Sequence, residues 1–391
     1  MNYPPDFMEC FAKLVALPSV SSTDPALDQS NRSSVELLAN WFAELGFAVE
    51  VMSIPGRHEK FNLIASAGAG AGEGGLVLSG HTDTVPYDEA YWDQDPFRLT
   101  ERSNKLYGLG AADMKCFFPL VIDVIRNMDT LKLQRPLYIL ATADEECTMS
   151  GVRALQGAGI NLGRHALIGE PTGLIPIYMH KGVLMESIRL TGRGGHSSKP
   201  ALGNSALEGM HRVMNALIEW RQQLQQQYVD DRFCVPVPTL NFGSIRGGDN
   251  PNRICADCEL KVDLRLLPDM QLEETRQAMR DVVTRAIDGT GLGADIQSIF
   301  HGIPAMHTDV NAEIVRLAEK FSGNQAGTVT FGTEGPYLKS MGMDTVIVGP
   351  GDIDQAHQAN EYIALERIQP MLNILKGMIS HFCFEDSTHV N

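Results

Sequence analysis

The sequence predicts an α/β protein in which a three-layer domain is interrupted by a smaller α+β domain. Two observations support this fold class. Helical and strand-like apolar segments alternate from residue 7 to residue 168, and the alternation resumes at residue 309. Between them, strand and helix patterns follow the order β-α-β-β-α-β, which is that of a ferredoxin-like sandwich. We therefore expect residues 1–182 and 293–391 to form the larger domain and residues 183–292 the insertion.

The individual elements follow from the spacing of apolar residues, because helices bury every third or fourth side chain and strands bury short runs or alternate positions. In the larger domain this spacing predicts helices over 7–17, 33–45, 113–128 and 363–382, and strands over 47–52, 62–66, 76–78, 137–143, 165–168 and 344–348. In the insertion it predicts strands over 184–190, 239–245, 254–266 and 294–300, and helices over 204–227 and 272–287.

Composition limits the classes of function. The 391 residues are 43% hydrophobic and 20% charged, which is typical of a globular protein in water. A formal charge of −16 disfavours nucleic acid and anionic membranes as partners. The seven cysteines are odd in number and scattered, and the start Met1–Asp6 lacks the features of a signal peptide. We expect a cytoplasmic protein that acts on a small molecule.

The segment Ser79–Pro86 is the first candidate for a functional site. His81 follows a short buried strand, and Asp83 lies two positions later, so both side chains point the same way if the backbone is extended. A metal-binding imidazole commonly donates its other N–H group to a carboxylate. The pair therefore suggests a metal ligand, although a solvated loop histidine is the alternative.

Further candidate ligands follow other predicted elements. Glu145 and Glu146 come after the strand that ends near residue 143, and Glu170 comes after the strand 165–168. Adjacent buried acids repel one another unless a cation is present. Asp113 and His357 complete a mixed set of nitrogen and oxygen donors, which suits zinc or another first-row ion. The alternatives are a helix cap for Asp113 and a solvated acidic loop for the glutamates.

Three motifs carry a resemblance to a known family. They are Ser-Gly-His-Thr-Asp-Thr-Val-Pro at 79–86, Gly-Ala-Ala-Asp-Met-Lys at 110–115 and Asp-Glu-Glu at 144–146. Together they resemble the dinuclear zinc family of aminoacylases, carboxypeptidases and deacylases, and the resemblance covers essentially the whole chain. It implies a zinc-peptidase-like catalytic domain and an inserted domain that serves as dimerisation surface and lid.

The resemblance also implies roles for the candidate residues. His81 and Glu170 would hold one zinc ion, Glu146 and His357 the other, and Asp113 would bridge both. Cobalt would substitute for zinc. Asp83 would orient His81, and Glu145 would be the general base. The family pattern further implies a cis peptide bond between Asp113 and Met114.

Residues of the insertion match family positions that contact the substrate. His196, in the Gly-Gly-His-Ser-Ser turn, would donate a hydrogen bond to the developing oxyanion, in cis or from the other subunit of a homodimer. Arg265 would hold the substrate carboxylate, and Asn252 would lie near the substrate. A surface turn for His196 and a solvated strand arginine for Arg265 are the alternatives.

Two segments bear on the substrate. Met179–Gly182 and Phe331–Tyr337 are most similar to those of the acetylornithine deacetylases of this family. Glu334 adds a negative charge that would attract the substrate ammonium, although it could equally be a helix-start residue. The expected reaction is removal of the acetyl group from N2-acetyl-L-ornithine, a step of arginine and thus amino-acid biosynthesis.

Other functions stay open at this point. They are succinyl-diaminopimelate desuccinylase, a broad N-acyl-amino-acid hydrolase or dipeptidase, and, in a different class, a non-catalytic binding protein on the same fold. A non-catalytic protein should have lost Glu145 or a ligand, and none is missing from the sequence.

Overall fold

A computed structural model describes residues 4–68, 74–160 and 162–384. Residues 1–3, which contributed to the signal-peptide argument, lie outside this range. The α-helices in chain order are α1 Phe7–Val15, α2 Arg32–Glu44, α3 Phe117–Arg126, α4 Ser150–Gly157, α5 Ala206–Gln227, α6 Leu272–Ala286, α7 Glu313–Ser322, α8 Gly335–Ser340 and α9 Ile368–Ile379.

The strands follow the same order along the chain. They are β1 Ala48–Ile54, β2 Arg57–Ala67, β3 Leu76–His81, β4 Thr100–Arg102, β5 Lys105–Tyr107, β6 Leu137–Thr142, β7 His165–Ile168, β8 Ile177–His180, β9 Gly182–Thr191, β10 Gly195–His196, β11 Thr239–Gly247, β12 Arg253–Ile254, β13 Asp257–Leu266, β14 Gly293–Ser298, β15 Met306–His307, β16 Gly327–Val329, β17 Asp344–Ile347 and β18 Tyr362–Ala364.

The chain forms two compact units. The first comprises Met1–Tyr178, Thr308–Gly327 and Thr333–Asn391, and the second comprises Met179–His307 and Thr328–Gly332. The second unit ends later than the sequence-based boundary at residue 292, because β14 pairs along its whole length with β9 and therefore belongs to the insertion's sheet.

A mixed sheet forms the centre of the first unit. Its strands lie in the order β1-β2-β6-β3-β7-β17-β8, and β6, β3, β7 and β17 run parallel to their neighbours within that group. Every residue of β3 and β7 is buried, as expected for parallel strands covered on both faces. Because parallel strands end at the same edge, the residues that follow β3, β6 and β7 are brought together there.

A small three-stranded sheet, in the order β18-β5-β4, connects two distant parts of the first unit. Tyr362 pairs with Tyr107, so the segment after His357 lies beside the segment before Asp113. An apolar cluster that includes Phe11, Ala111 and Ile363 packs at this junction. The small sheet thus fixes two loops that carry candidate ligands.

The second unit is an antiparallel sheet with two helices. The strand order β11-β13-β9-β14 and the chain order β9-α5-β11-β13-α6-β14 are those of a ferredoxin-like sandwich, which confirms the predicted fold class. Alternate residues of β13 are buried, including Val262, Leu264 and Leu266, because one face of the sheet is covered.

Four predicted elements were wrong in their extent. The strand expected over 62–66 spans Arg57–Ala67. The helix expected to begin at Asp113 begins at Phe117, because residues 109–116 form turns. The strand expected over 254–266 is divided into β12 and β13. The C-terminal helix begins at Ile368 rather than 363, because Tyr362–Ala364 pairs with β5.

Among the described residues, no helix combines the length and the apolar character that a membrane span requires.

Candidate metal centre

His81, the last residue of β3, is 1% exposed and has two distinct hydrogen-bonding sides. Nδ1 lies 2.9 Å from the main-chain oxygen of Asp83, and Nε2 lies 3.0 Å from Oδ1 of Asp113. Since a carbonyl oxygen only accepts, Nδ1 carries a proton, and Nε2 is the atom presented to the acidic cluster. This is the arrangement of a metal-binding imidazole whose outer nitrogen is held by the protein.

The Asp83 carboxylate has a different role from the predicted one. Its Oδ1 lies 3.7 Å from Nδ1 of His81, beyond hydrogen-bond distance. Instead, Oδ1 accepts the N–H of Glu145 at 3.3 Å and Oδ2 accepts the N–H of Glu146 at 3.2 Å. Asp83 therefore holds His81 through its main chain and the Glu145–Glu146 backbone through its side chain.

Asp144 supports the same turn from the other side. This buried residue adopts a φ of 61°, in the left-handed region that an aspartate tolerates. Its carboxylate accepts hydrogen bonds from Arg57 Nη2 at 2.8 Å, from Ser150 Oγ at 2.7 Å and from the Thr148 hydroxyl. The acidic tripeptide after β6 is thus divided: Asp144 anchors the turn, which leaves Glu145 and Glu146 to face the cluster.

Asp113 lies between two histidines. Oδ1 is 3.0 Å from His81 Nε2, and Oδ2 is 3.5 Å from His357 Nε2. The Asp113–Met114 peptide bond is cis, which confirms the expectation from the family resemblance. Burial opposes the charge on Asp113, but hydrogen bonds from His357 and His81 hold its pKa below the usual range.

His357 lies on a loop of the same unit, with a half-exposed side chain and a φ of 59°. Its Nε2 is 3.0 Å from Oε2 of Glu146 as well as 3.5 Å from Asp113. Hydrogen bonds to Asp113 and Glu146 raise the pKa of His357 to about 10. The two carboxylates therefore strongly favour a positive charge at this point.

The remaining acids crowd around His81. Glu170, after β7, places Oε1 at 3.8 Å from His81 Nε2, and this oxygen has no hydrogen-bond partner among the described residues. Burial, and then the charge of a neighbouring carboxylate, raises the pKa of Glu145, of Glu146 and of Glu170. Burial opposes charge on His81 too, but Glu170 and the other carboxylates outweigh it and raise its pKa well above the usual value.

This donor set fits divalent metal ions. Two groups of three side chains each offer ligand atoms within 4.8 Å of one another: His81, Asp113 and Glu146 form one, and His81, Glu145 and Glu170 form the other. Buried carboxylates without a nearby lysine or arginine partner are costly unless a cation compensates them. Bound cations would account for both the unpartnered Oε1 of Glu170 and the position of Asp113 between two histidines.

Glu334 is enclosed in the first unit rather than exposed. Its carboxylate is 1% exposed, Oε2 lies 3.5 Å from Ser79 Oγ, and Oε1 has no partner among the described residues. Burial raises the pKa of Glu334 to about 7. The predicted attraction of a substrate ammonium by Glu334 would therefore act from an enclosed carboxylate. α8 begins directly after Glu334, but its side chain makes no capping hydrogen bond.

The predicted substrate residues of the insertion lie in the second unit. His196 is exposed and pairs across β10 and β12 with Arg253, while Ser197 N–H donates to the Asn252 oxygen, so His196 and Asn252 are neighbours. Arg265 lies on β13, where its Nε and Nη2 pair with Asp263 at 2.8 and 3.0 Å.

Two buried charged residues were not identified as site residues from the sequence. Glu361 accepts hydrogen bonds from the backbone of residues 110–113, and Lys115 donates from Nζ to the main-chain oxygens of Leu14 and Leu17. Burial raises the pKa of Glu361 to about 8 and lowers that of Lys115 to about 8. The signal available in the sequence was that Lys115 and Glu361 are charged residues next to apolar segments, where a charged side chain that becomes buried needs a specific partner.

Comparison with known proteins places the chain in a family. The model described as peptidase family M20/M25/M40 matches residues 77–381. The chain belongs to this family. An acetylornithine deacetylase from Pasteurella multocida is 45% identical over 383 residues, which are 98% of this chain and 100% of the relative.

Solved structures of M20 proteins share the fold. An M20 family metallo-carboxypeptidase from Sulfolobus solfataricus matches with a TM-score of 0.76 and 16% identity over 96% of this chain and 99% of that one. A dinuclear metal-binding peptidase of the M20 family from Bacillus subtilis matches with a TM-score of 0.65 and 14% identity over 96% and 97% of the two chains.

Proposed function

We propose that this M20 protein is a metal-dependent amide hydrolase that converts N2-acetyl-L-ornithine to ornithine and acetate. The observation that supports the reaction type best is the placement of Asp113 between His81 and His357, each beside a further glutamate. The full-length similarity to an acetylornithine deacetylase supports the substrate. Ornithine is a precursor of arginine, so the reaction would belong to arginine biosynthesis.

The proposed metal site uses five residues. His81 and Glu170 would hold one ion, Glu146 and His357 would hold the other, and Asp113 would serve both. Zinc is the proposed ion, and cobalt would substitute because it accepts the same nitrogen and oxygen donors. When bound, such ions supply Lewis acidity, which polarises a carbonyl group and makes water more acidic.

Glu145 is the proposed general base. It is buried beside His81 and Glu170, and its backbone is fixed by the Asp83 carboxylate. The raised pKa of Glu145 suits a group that takes a proton from the attacking water. The same carboxyl group then delivers that proton to the amide nitrogen, so that the C–N bond breaks and the amine leaves neutral. The second proton of the water stays on the acetic acid, which releases it to solvent to give acetate.

The second unit supplies the proposed substrate contacts. His196 would donate to the developing oxyanion, and the neighbouring Asn252 would contact the substrate. Because Asp263 already accepts from Nε and from one N–H of Nη2 of Arg265, the substrate carboxylate would bind at Nη1 and the remaining N–H of Nη2. Glu334 would act through its charge rather than by contact. A homodimer joined through this unit and a cytoplasmic location stay predictions of the sequence.

A substrate panel tests the proposal. The protein, loaded with Zn²⁺ or Co²⁺, is assayed with N2-acetylornithine, neutral N-acetyl amino acids, N-succinyl-diaminopimelate and dipeptides. We expect the highest kcat/KM for N2-acetylornithine and loss of turnover after chelation. Preference for the succinyl compound or for a dipeptide would overturn the substrate, and full turnover after exhaustive metal removal would overturn the metal mechanism.

A further inference from the structure

We infer that Glu361 is a positioning residue of the metal centre, and that its side chain fixes the loop of Asp113 to the chain segment that carries His357. The inference rests on the proposed function, in which Asp113 and His357 hold metal. It assigns to Glu361 no contact with the substrate.

The carboxylate of Glu361 is surrounded by backbone donors of one loop. It is 2% exposed, and its Oε2 accepts the N–H of Gly110 at 2.8 Å. Its Oε1 accepts the N–H groups of Ala112 and Asp113 at 2.7 and 2.9 Å. The Glu361 main-chain oxygen adds a fourth bond, from the N–H of Gly108 at 3.1 Å. One residue therefore satisfies four donors across six consecutive residues.

The loop needs this acceptor because regular structure does not provide one. β5 ends at Tyr107 and α3 begins at Phe117, so the N–H groups between them lack a ladder or a helix of their own. At Gly110 the backbone has a φ of 77°, which directs neighbouring N–H groups toward a common point. A carboxylate can accept all three side-chain bonds, whereas an amide offers one oxygen and one donor.

The same residue is linked to the other side of the metal centre. Glu361 follows His357 by four positions and immediately precedes β18, which is paired with β5. Displacement of Glu361 would therefore shift Asp113 and the His357 loop relative to each other. His81 and Glu170 are carried by β3 and β7 and would keep their positions. Because Asp113 is proposed to serve both ions, both should bind more weakly. The larger effect should fall on the ion held by Glu146 and His357, since two of its three proposed ligands lie on the displaced segments.

The experiment measures binding of Co²⁺ to the metal-free full-length protein by equilibrium dialysis and by visible absorption. It compares wild type with Glu361→Gln, which replaces one acceptor by a donor, and with Glu361→Asp, which shortens the carboxylate arm. The matched control is Glu186→Gln. Glu186 is also a buried carboxylate, but it pairs with Arg276 and Ser298 in the second unit. Glu186→Gln therefore shows how the loss of a buried carboxylate affects the stability of the protein when the loop of Asp113 is left unchanged.

We expect Glu361→Gln to bind the second Co²⁺ about 10–100-fold more weakly and to show an altered absorption spectrum, as for other residues that orient metal ligands. The first Co²⁺ should lose less affinity than the second, and Glu361→Asp should bind both ions with affinities between those of wild type and Glu361→Gln. Glu186→Gln should lower the Tm but keep both affinities.

Wild-type Co²⁺ binding by folded Glu361→Gln would overturn the inference, as would an equal loss of affinity in Glu186→Gln. If Glu361→Gln does not fold, wild-type binding by Glu361→Asp would mark the residue as structural only, and weaker binding would support positioning. A wild-type protein that binds one ion would refute the two-ion proposal separately. The inference would then be judged by whether Glu361→Gln weakens that ion.

Discussion

The side chain and the main chain of Asp83 hold different parts of the site, which leads to a specific prediction for Asp83→Asn. The carboxylate is 0% exposed and accepts the N–H groups of Glu145 and Glu146, while the main-chain oxygen accepts Nδ1–H of His81. Asparagine keeps the main-chain contact. Its amide has one acceptor oxygen, so that its NH₂ group must face one of the two glutamate N–H groups.

The magnitude follows from these contacts. One buried N–H left without an acceptor costs about 1–3 kcal/mol, so the free energy of unfolding of the metal-free variant should fall by about that amount. A displaced Glu145 should lower kcat at saturating Zn²⁺ by about 10²-fold, since a shift of about 1 Å in a catalytic group has that effect. Zinc affinity should fall less than kcat, because His81 is still held by the main-chain oxygen and Glu146 is the one proposed ligand whose backbone the Asp83 carboxylate holds.

The assay combines urea unfolding, zinc affinity and kcat at saturating Zn²⁺. Asp230→Asn is the control, since Asp230 accepts a backbone N–H and pairs with Arg232 in the second unit. It should lose stability but not kcat. Unchanged kcat in Asp83→Asn, together with an unchanged free energy of unfolding, would refute the reasoning.

Three further predictions concern single side chains. Glu145→Gln should keep its metal ions and lose about 10²–10⁴-fold in kcat, whereas Glu146→Gln should lose metal affinity. Isothermal titration with Zn²⁺ measures the affinity, and turnover assays measure kcat. The reverse pattern would show that the roles of Glu145 and Glu146 must be exchanged. Glu334→Gln should lower the preference for acetylornithine over acetylmethionine by less than about tenfold, because a 1% exposed carboxylate acts only at a distance; kcat/KM for both substrates measures it, and a larger drop would show direct contact. Burial lowers the pKa of His165 from 6.5 to about 4, so its contribution to stability is present above pH 6.5 and is lost as the pH falls toward 4. Between pH 7 and 5, metal-free wild type should therefore lose about 2 kcal/mol more than His165→Phe in urea unfolding, and equal losses would contradict the assignment.

The sequence was sufficient for the fold class and for the types of residue in the site. The order β-α-β-β-α-β of the insertion can be predicted because each element has its own period of apolar residues. His81, Glu146 and Glu170 could be proposed as ligands because each follows a buried strand, and parallel strands bring their carboxyl ends to one edge. These inferences need only local patterns and one general property of sheets.

The contacts that orient those ligands could not be predicted in the same way. From the sequence, Asp113 resembled a helix start, yet its backbone N–H is donated to Glu361, which is 248 positions away. The Asp83 carboxylate, expected to hold His81, instead holds a turn that is 62 positions further along. The enclosure of Glu334 likewise depends on strands far away in sequence, including the Ser79 hydroxyl.

The physical reason is that a polar side chain has no partner preference that can be read from its neighbours in the chain. Aspartate and glutamate accept hydrogen bonds from any donor that the fold brings within about 3 Å. Which donors these are is decided by the pairing of β18 with β5 and by the parallel arrangement of β3, β6 and β7. The sequence by itself determined which groups are candidates for the chemistry. The tertiary structure decided which backbone groups and side chains hold them in place.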